Sequence, residues 1–496
     1  MLIFNKQGSL YIVHASIISQ GGLQMRKGKL RFGARLMVLA MVMSVILSAC
    51  SSKSASDDKA AAKETEHAAT AAATATAATT ATPEVTEAPK AKDKVKLTFA
   101  YNWTGTDAKA EIYEGLLKKY MEEHKDTVDI TLEATPGDEH KTKMKIEIAS
   151  GNQPDLFMYY NGDAYIKPLV DGKVIVSAEE YMAVSKAVKK EQWTDSAWDS
   201  FKLGDQHYGF PVESFKGFFM YNKTIFDKYK LTVPTTYAEL KVVSKVLRDN
   251  GIIPLAMSSK GGNPGHLFFD QIRDQFPDGI ADAQNLGTSF KFDSPSAITT
   301  ANIIDDMRKN KMFPDDTIAN GDWGPSITTY NEGKAAMIYS FPWMIGTFKP
   351  EIGAVSEMAA FPKMDNATVD PAGFTIGGVS MGLVVSRKPF EDMAKQAELV
   401  KFSDFLVSDE MFSALGKASM TPAKDLKLAV TDLNPLFVKF VDFAGKQGMY
   451  PPVYNWFPTP DSAAEYFSQL DSLFAGAVKP DAFISSIQKS VAKAKK

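Results

Sequence analysis

Beyond residue 94 the chain shows regular hydrophobic patterning. Val95, Leu97, Phe99 and Tyr101 alternate with Lys96, Thr98 and Ala100, and a period of two predicts a strand. Asn102 to Asp107 then forms a loop carrying helix-capping residues, and Ile112, Leu116, Leu117 and Tyr120 fall on one face of a following helix. Val128, Ile130 and Leu132 predict a second strand, Lys141–Ser150 a second helix closed by Gly151, and Leu156-Phe157-Met158-Tyr159 a third strand. The order β-α-β-α-β implies parallel strands joined by right-handed crossovers.

In open α/β sheets a ligand sits beyond the carboxyl ends of the strands. Those ends carry Asn102-Trp103 after the first strand and Tyr160-Asn161-Gly162-Asp163 after the third. An exposed Trp beside amides and carboxylates suits a polar ligand with an apolar face. The alternative for Trp103 is structural, covering a helix end.

The amino-terminal part follows other rules. Leu36–Ala49 is an apolar run of 14 residues, preceded by Arg26, Lys27, Lys29, Arg31 and Arg35 and followed by Cys50, the one cysteine of the chain. A run this short falls below the roughly 20 residues of a membrane-spanning helix. With its basic flank it has the form of a secretory signal peptide. Leu47-Ser48-Ala49-Cys50 resembles the lipobox of bacterial lipoproteins. The resemblance implies cleavage before Cys50, a diacylglyceryl group on its thiol and an acylated, palmitate-type amino terminus. Two or more acyl chains hold a protein stably at a membrane where one does not. Residues 1–24 lack signal-peptide character, so translation is expected to start at Met25, with residues 25–50 as the signal peptide. A purine-rich element before that codon in the nucleotide sequence is the test.

Residues 51–94 are built from Ala, Thr, Ser, Lys and Glu with almost no large apolar residue. Such a segment buries too little surface to fold. As a flexible coil it reaches about 40 Å on average, a tether between membrane and folded body.

Composition narrows the class. Of 496 residues, 45% are hydrophobic and 23% charged, the balance of a globular protein. Residues 1–50 hold six Lys/Arg and no acid, so the exported part carries 50 bases against 59 acids, a net charge of −9. That balance argues against a nucleic-acid partner. Without disulfides the exported protein depends on its core, and roughly 400 residues suffice for two domains.

Five segments in order resemble extracellular solute-binding proteins of family 1, the carbohydrate receptors of ABC importers. They are Gly151-Asn152-Gln153-Pro154-Asp155-Leu156-Phe157, Tyr208-Gly209-Phe210-Pro211 followed by Phe219-Met220-Tyr221-Asn222-Lys223, Val233-Pro234-Thr235-Thr236-Tyr237-Ala238-Glu239-Leu240, Gly333-Lys334-Ala335-Ala336-Met337, and Phe341-Pro342-Trp343, where Phe-Pro replaces the usual glycine. Physically, Thr236 with Glu239 three residues on is a capping box. Tyr221-Asn222-Lys223 closes an apolar run as a strand end, and Ala335–Tyr339 reads as a buried strand that delivers Trp343 at its carboxyl end.

The resemblance implies an α/β, two-lobed, periplasmic-binding-protein-like fold of type II, with three crossings between lobes and a ligand cleft between them. The crossings are expected near Tyr208–Pro211, Phe361-Pro362 and Ser408-Asp409-Glu410. Lobe one is then 95–210 and 361–407, and lobe two 211–360 and 408–496. Such receptors close around their ligand by hinge motion.

Sugars present C–H faces that stack on aromatic rings and hydroxyls that pair with carboxylates and amides. Of six tryptophans, Trp103, Trp343 and Trp456 are the expected platforms. Trp456 lies in a stretch where Pro451 and Pro452 deny helix and strand, and Trp323 lies in a loop. Trp193 and Trp198 read as local packing. Asp107, Asn161, Asp163, Glu213 and His266 are the expected polar partners, although a single carboxylate is more often a solvated surface group. Gly378–Gly382 fits G-x-S-x-G, the nucleophile elbow of a hydrolase. That mechanism needs a histidine after the serine, and the six histidines, at 14, 67, 124, 140, 207 and 266, all precede Ser380. In the family this segment brings backbone close to the ligand, and Gly378 is the expected contact.

The expected function is a membrane-tethered extracellular receptor that captures a sugar or oligosaccharide and delivers it to an ABC importer. The expected partners are the carbohydrate and the membrane permease, with Cys50 as lipid anchor on the extracellular face of the membrane. A monomer is expected, and neither catalysis nor a cofactor or metal. Receptors for non-sugar solutes and glycan-degrading lipoproteins are the rivals. Histidine pairs and phosphate-loop signatures are missing from the sequence, and turnover of an oligosaccharide would sink the receptor reading.

Overall fold

The computed structural model describes residues 2–4, 9–12 and 93–494, apart from 106, 138, 286–290, 319, 320, 322 and 425. The signal peptide, Cys50 and nearly all of the linker lie outside the described residues. At the amino terminus Leu2–Phe4 pairs antiparallel with Ser9–Ile12, which also pairs with Lys427–Ala429.

Two sheets organise the body. The larger runs in the order Thr421–Pro422, Phe210–Lys216, Phe374–Val385, Leu156–Tyr159, Val95–Tyr101 and Val128–Ala134, with Gly448–Tyr450 paired beside Phe374–Val385. Val95–Tyr101 lies parallel to both Val128–Ala134 and Leu156–Tyr159, as the β-α-β-α-β pattern predicts. The helices between them are Ala110–Glu123 and Glu139–Ser150. Leu97, Phe99 and Tyr101 are buried, and so is Ala100 on the opposite face, because helices cover both sides of a parallel sheet.

The Gly-Asn-Gln-Pro-Asp segment acquires a physical role. Asp155 Oδ2 accepts from Thr98 N at 2.9 Å, and Asp155 N donates to Thr98 Oγ1 at 2.8 Å. Ser386 Oγ donates to Pro154 O at 2.6 Å and Ser386 N to Asp155 O at 3.0 Å. One short turn thus ties together the first strand, the third and the end of Phe374–Val385.

The smaller sheet runs Ile253–Ala256, Ala335–Ser340, Phe218–Asn222 and Ser356–Ala359. Its helix Tyr237–Asp249 starts on the predicted capping box: Glu239 N donates to Thr236 Oγ1 at 3.2 Å, and Thr236 N to Glu239 Oε2 at 3.1 Å. Asn222 ends its strand and caps the helix Lys223–Lys228, accepting from Ile225 N at 3.2 Å.

Between Phe210 and Ala444 the chain passes from one sheet to the other three times, and two of these passages differ from expectation. Phe210–Lys216 pairs into the larger sheet and Phe218–Asn222 into the smaller, so the first passage is at Gly217 and not near Tyr208–Pro211. The second lies between Ala359 and Phe374, beside Phe361-Pro362. The third does not fall at Ser408–Glu410. Ser408 is a helix cap, accepting from Met411 N at 3.2 Å, and the helix Asp409–Lys417 packs back on Ala110–Glu123. Thr421–Pro422 still pairs with Phe210–Lys216. Only Pro435–Ala444 reaches the smaller sheet, where Lys439 Nζ donates to Ser356 O at 2.9 Å. Helices Pro460–Ala475 and Pro480–Ala494 then pack on Pro295–Lys309, with Pro460–Ala475 also against Gly265–Arg273.

The passages at Gly217 and Thr375 are bonded to each other. Gly217 N donates to Ile376 O at 2.8 Å and Thr375 Oγ1 to Gly217 O at 2.8 Å. Gln271 Oε1, from the smaller lobe, accepts from Ile376 N at 3.0 Å and Tyr339 Oη at 3.0 Å.

Candidate functional site

Between the two sheets lies a cavity of about 650 Å³. The larger lobe lines it with the loop after its first strand, with Tyr160 after its third, and with Glu213, Phe215, Ser380 and Met381 on the strands that approach the passages. The smaller lobe contributes Trp323, Trp343 and Met344. His266, Asn263 and Tyr454 close a further side.

Lys109 dominates one wall. Its side chain is fully buried, with Nζ 3.1 Å from Asp107 Oδ1, 3.2 Å from Glu213 Oε1 and 5.3 Å from the centre of the Trp103 ring. Ser380 Oγ donates to Glu213 Oε2 at 3.1 Å. Burial disfavours the charge on Glu213 and moves its carboxyl above the usual range, against the pull of Lys109. Burial also opposes the charge on Lys109, but Asp107 and Glu213 outweigh it and hold the ammonium above its ordinary value. The ion-pair distances do not come with hydrogen-bond angles. Lys109 Nζ, Glu213 Oε1 and Asn102 Oδ1 are buried without a hydrogen-bond partner.

The facing wall is aromatic. Trp343 stacks on Phe341 with centroids 5.0 Å apart, and Trp323 meets it edge-on at 5.5 Å. Phe215 reaches across to Trp343 at 5.3 Å. The strand Ala335–Ser340 delivers Phe341 and Trp343, the latter in the 3-10 turn Pro342–Thr347. Elsewhere in the cavity Lys141 Nζ lies 4.3 Å from the ring centre of Tyr160. His266 Nδ1 donates to Gly262 O at 2.8 Å and the ring meets Tyr454 edge-on at 4.9 Å.

The structure brings together Trp103, Asp107, Glu213, His266, Trp323 and Trp343. Two of these differ in setting from expectation. Trp103 is buried edge-on against Tyr113 at 5.0 Å rather than exposed, because the loop folds back over the helix Ala110–Glu123. Trp323 heads the helix Trp323–Asn331 rather than sitting in a loop.

Three expected residues, Asn161, Gly378 and Trp456, lie off the lining. Asn161 is buried, and Asp163 opens the helix Asp163–Asp171. A Cβ on Gly378 would meet no protein atom within 4 Å. Trp456 sits in the 3-10 turn Val453–Trp456, which turns Tyr454 toward the cavity instead. The candidates chosen from sequence left out Lys109, Lys141, Ser380 and Tyr454, and Asn102 and Tyr160 were named only at the ligand-facing strand ends beside the residues chosen. Lys109 stands two residues after Asp107, the one local signal that could have marked it. Among the described residues no group of His, Cys, Asp or Glu is placed to hold a metal ion, and no helix is long and apolar enough to cross a membrane.

Residues 102–411 match the sequence model of the family described as bacterial extracellular solute-binding protein. The chain belongs to that family. Among relatives of this solute-binding protein, the melibiose/raffinose/stachyose-binding protein MelE of Bacillus subtilis (strain 168) is 23% identical over 185 residues. That alignment spans 36% of this chain and 40% of MelE, less than half of the relative. Its fold is shared with solved structures of binding proteins. A chitin oligosaccharide binding protein superposes with a TM-score of 0.72 at 17% identity, covering 80% of this chain and 98% of the other. Maltose-bound MalE3 of T. maritima superposes with a TM-score of 0.64 at 16% identity, covering 80% and 99%.

Proposed function

We propose that this chain is an extracellular sugar receptor that captures a sugar or oligosaccharide by closure of its two lobes and delivers it to an ABC importer. The observation that carries the reading is the opposition of two walls across one cavity, Trp323 and Trp343 on one and Asp107, Lys109 and Glu213 on the other. A sugar ring offers an apolar face to the first and hydroxyls to the second. Hydroxyls donate and accept at once, so they suit a wall where a buried ammonium, a carboxylate oxygen and an amide oxygen lack hydrogen bonds. The names of MelE and of the chitin oligosaccharide and maltose structures favour a carbohydrate over other solutes.

In the same reading Cys50 carries the lipid anchor, residues 51–94 tether the body at the extracellular face of the membrane, and the permease reads the closed form of a monomeric receptor. A thermal-shift panel of melibiose, raffinose, stachyose, maltose, chito-oligosaccharides and xylo-oligosaccharides tests it. A ligand at about 100 times its Kd stabilises by about 2.7 kcal/mol, a rise of several degrees. No shift with any sugar overturns the proposal.

A further inference from the structure

We propose that Gly346 and Ala108 are the facing stops that set how far the lobes close, and with it the width of the sugar cavity. This inference rests on the closure reading above. Ala108 lies between Asp107 and Lys109 in the loop of the larger lobe, and Gly346 lies in the 3-10 turn of the smaller lobe that carries Trp343. A Cβ built on Gly346 would stand 2.5 Å from Ala108 Cβ and 3.7 Å from Ala108 Cα, with no other atom within 4 Å. Real Cβ atoms do not approach so closely. Gly346 has no left-handed backbone conformation. Among the described residues outside its own turn, the atoms that crowd a side chain there belong to Ala108 of the opposite lobe.

The position of the contact explains its consequence. Asp107 and Lys109 flank one stop, and Trp343 and Met344 stand two or three residues before the other. An added methyl at 346 would therefore separate the polar wall from the aromatic wall directly. Two other contacts between lobes agree with an approach on this line. Lys141 of the larger lobe lies over Tyr160 and also 5.8 Å from the ring centre of Phe467, on the helix Pro460–Ala475. Lys145 Nζ lies 2.9 Å from Asp461 Oδ1 at the start of that helix. Both pairs reach out on flexible side chains and tolerate a small opening. The Gly346–Ala108 contact does not.

The test is a swap of the two side chains in the full chain. Gly346→Ala should weaken raffinose binding, measured by calorimetry, by about tenfold or more, equivalent to about 1.4 kcal/mol. Gly346→Ala combined with Ala108→Gly restores the space and should return affinity to within about threefold of wild type. A Gly346→Ala protein that binds like wild type, or a double variant no better than the single one, overturns the inference.

A second arm needs no sugar. With Cys50→Ser, the Cβ positions of the pair Ala108→Cys and Gly346→Cys lie 2.5 Å apart, and a separation of about 1 Å brings them to the Cβ–Cβ distance of a disulfide, about 3.8 Å. Oxidation should link the two cysteines with and without raffinose present. Failure to link in either condition means that the lobes do not meet there and overturns the inference. If wild type binds no sugar of the panel, the receptor reading falls, while linkage still decides the contact.

Discussion

Lys109 is the residue whose removal the structure makes most consequential. Lys109→Met keeps the length of the side chain and deletes its charge. Glu213 then stays in place at 5% exposure, near Asp107, with no cation between them. Breaking one partner out of a buried ion pair costs about 3–5 kcal/mol. The Asp107 side chain is 23% exposed and keeps some hydration, which places the loss near the lower end, at about 3 kcal/mol.

The pH dependence follows from the direction of the shift. Burial already holds the Glu213 carboxyl above its usual range while Lys109 opposes the rise, so deleting Lys109 raises it further. A carboxyl with a raised folded-state pKa favours folding below its unfolded pKa and loses that contribution as pH rises through the folded value. The penalty of Lys109→Met is therefore larger at about pH 7.5 than at about pH 5. Urea unfolding of wild type and variant at both pH values measures it, and Lys109→Met with Glu213→Gln should recover most of the loss. An equal penalty at both pH values, or a larger one in acid, refutes the assignment of a buried ion pair.

Three further outcomes are expected. Trp343→Ala should lower raffinose affinity by roughly 10- to 100-fold, about 1.4–2.7 kcal/mol by calorimetry, and also lower the unfolding midpoint, because the ring packs on Phe341, Trp323 and Phe215. Asp155→Ala removes the acceptor of Thr98 N and should cost about 1–3 kcal/mol of stability in urea while leaving sugar affinity within about twofold. Gly217→Ala places a methyl against the Tyr339 hydroxyl at the first passage; it should lower the thermal midpoint and slow the ligand-induced fluorescence change, and unchanged values of both would show that the passage has room.

The parts of the fold that could be read from sequence are those governed by local rules. The first β-α-β-α-β unit was legible because Val95–Tyr101 alternates and its first helix, Ala110–Glu123, carries an apolar face. The capping box at Thr236 and Glu239 was legible because a four-residue segment contains all of its chemistry. Two of the three passages between lobes were not. Phe210–Lys216 is buried on both faces, so it shows no period, and the turn before it resembled a boundary. Ser408-Asp409-Glu410 carries the signal of a helix start, which locally competes with that of a passage.

The site divides along the same line. Trp343 was found because a strand end fixes its place, whereas Trp456 was misplaced because a 3-10 turn decides which side chain faces inward. Lys109 was missed because a lone lysine reads as solvated. Glu213 and Ser380, which make its burial possible, are brought to it only by the sheet. Asn102 and Tyr160 escaped for the opposite reason: they adjoin residues that were singled out, and one step along the chain changes the facing direction.

The most direct test of sugar capture is calorimetric titration of the purified chain with the oligosaccharide panel, paired with small-angle scattering of the same samples. The expected result is one-to-one binding of an intact sugar, weakened in Trp343→Ala, with a fall in radius of gyration as the lobes close. Absence of binding across the panel, or recovery of a cleaved sugar, would contradict it.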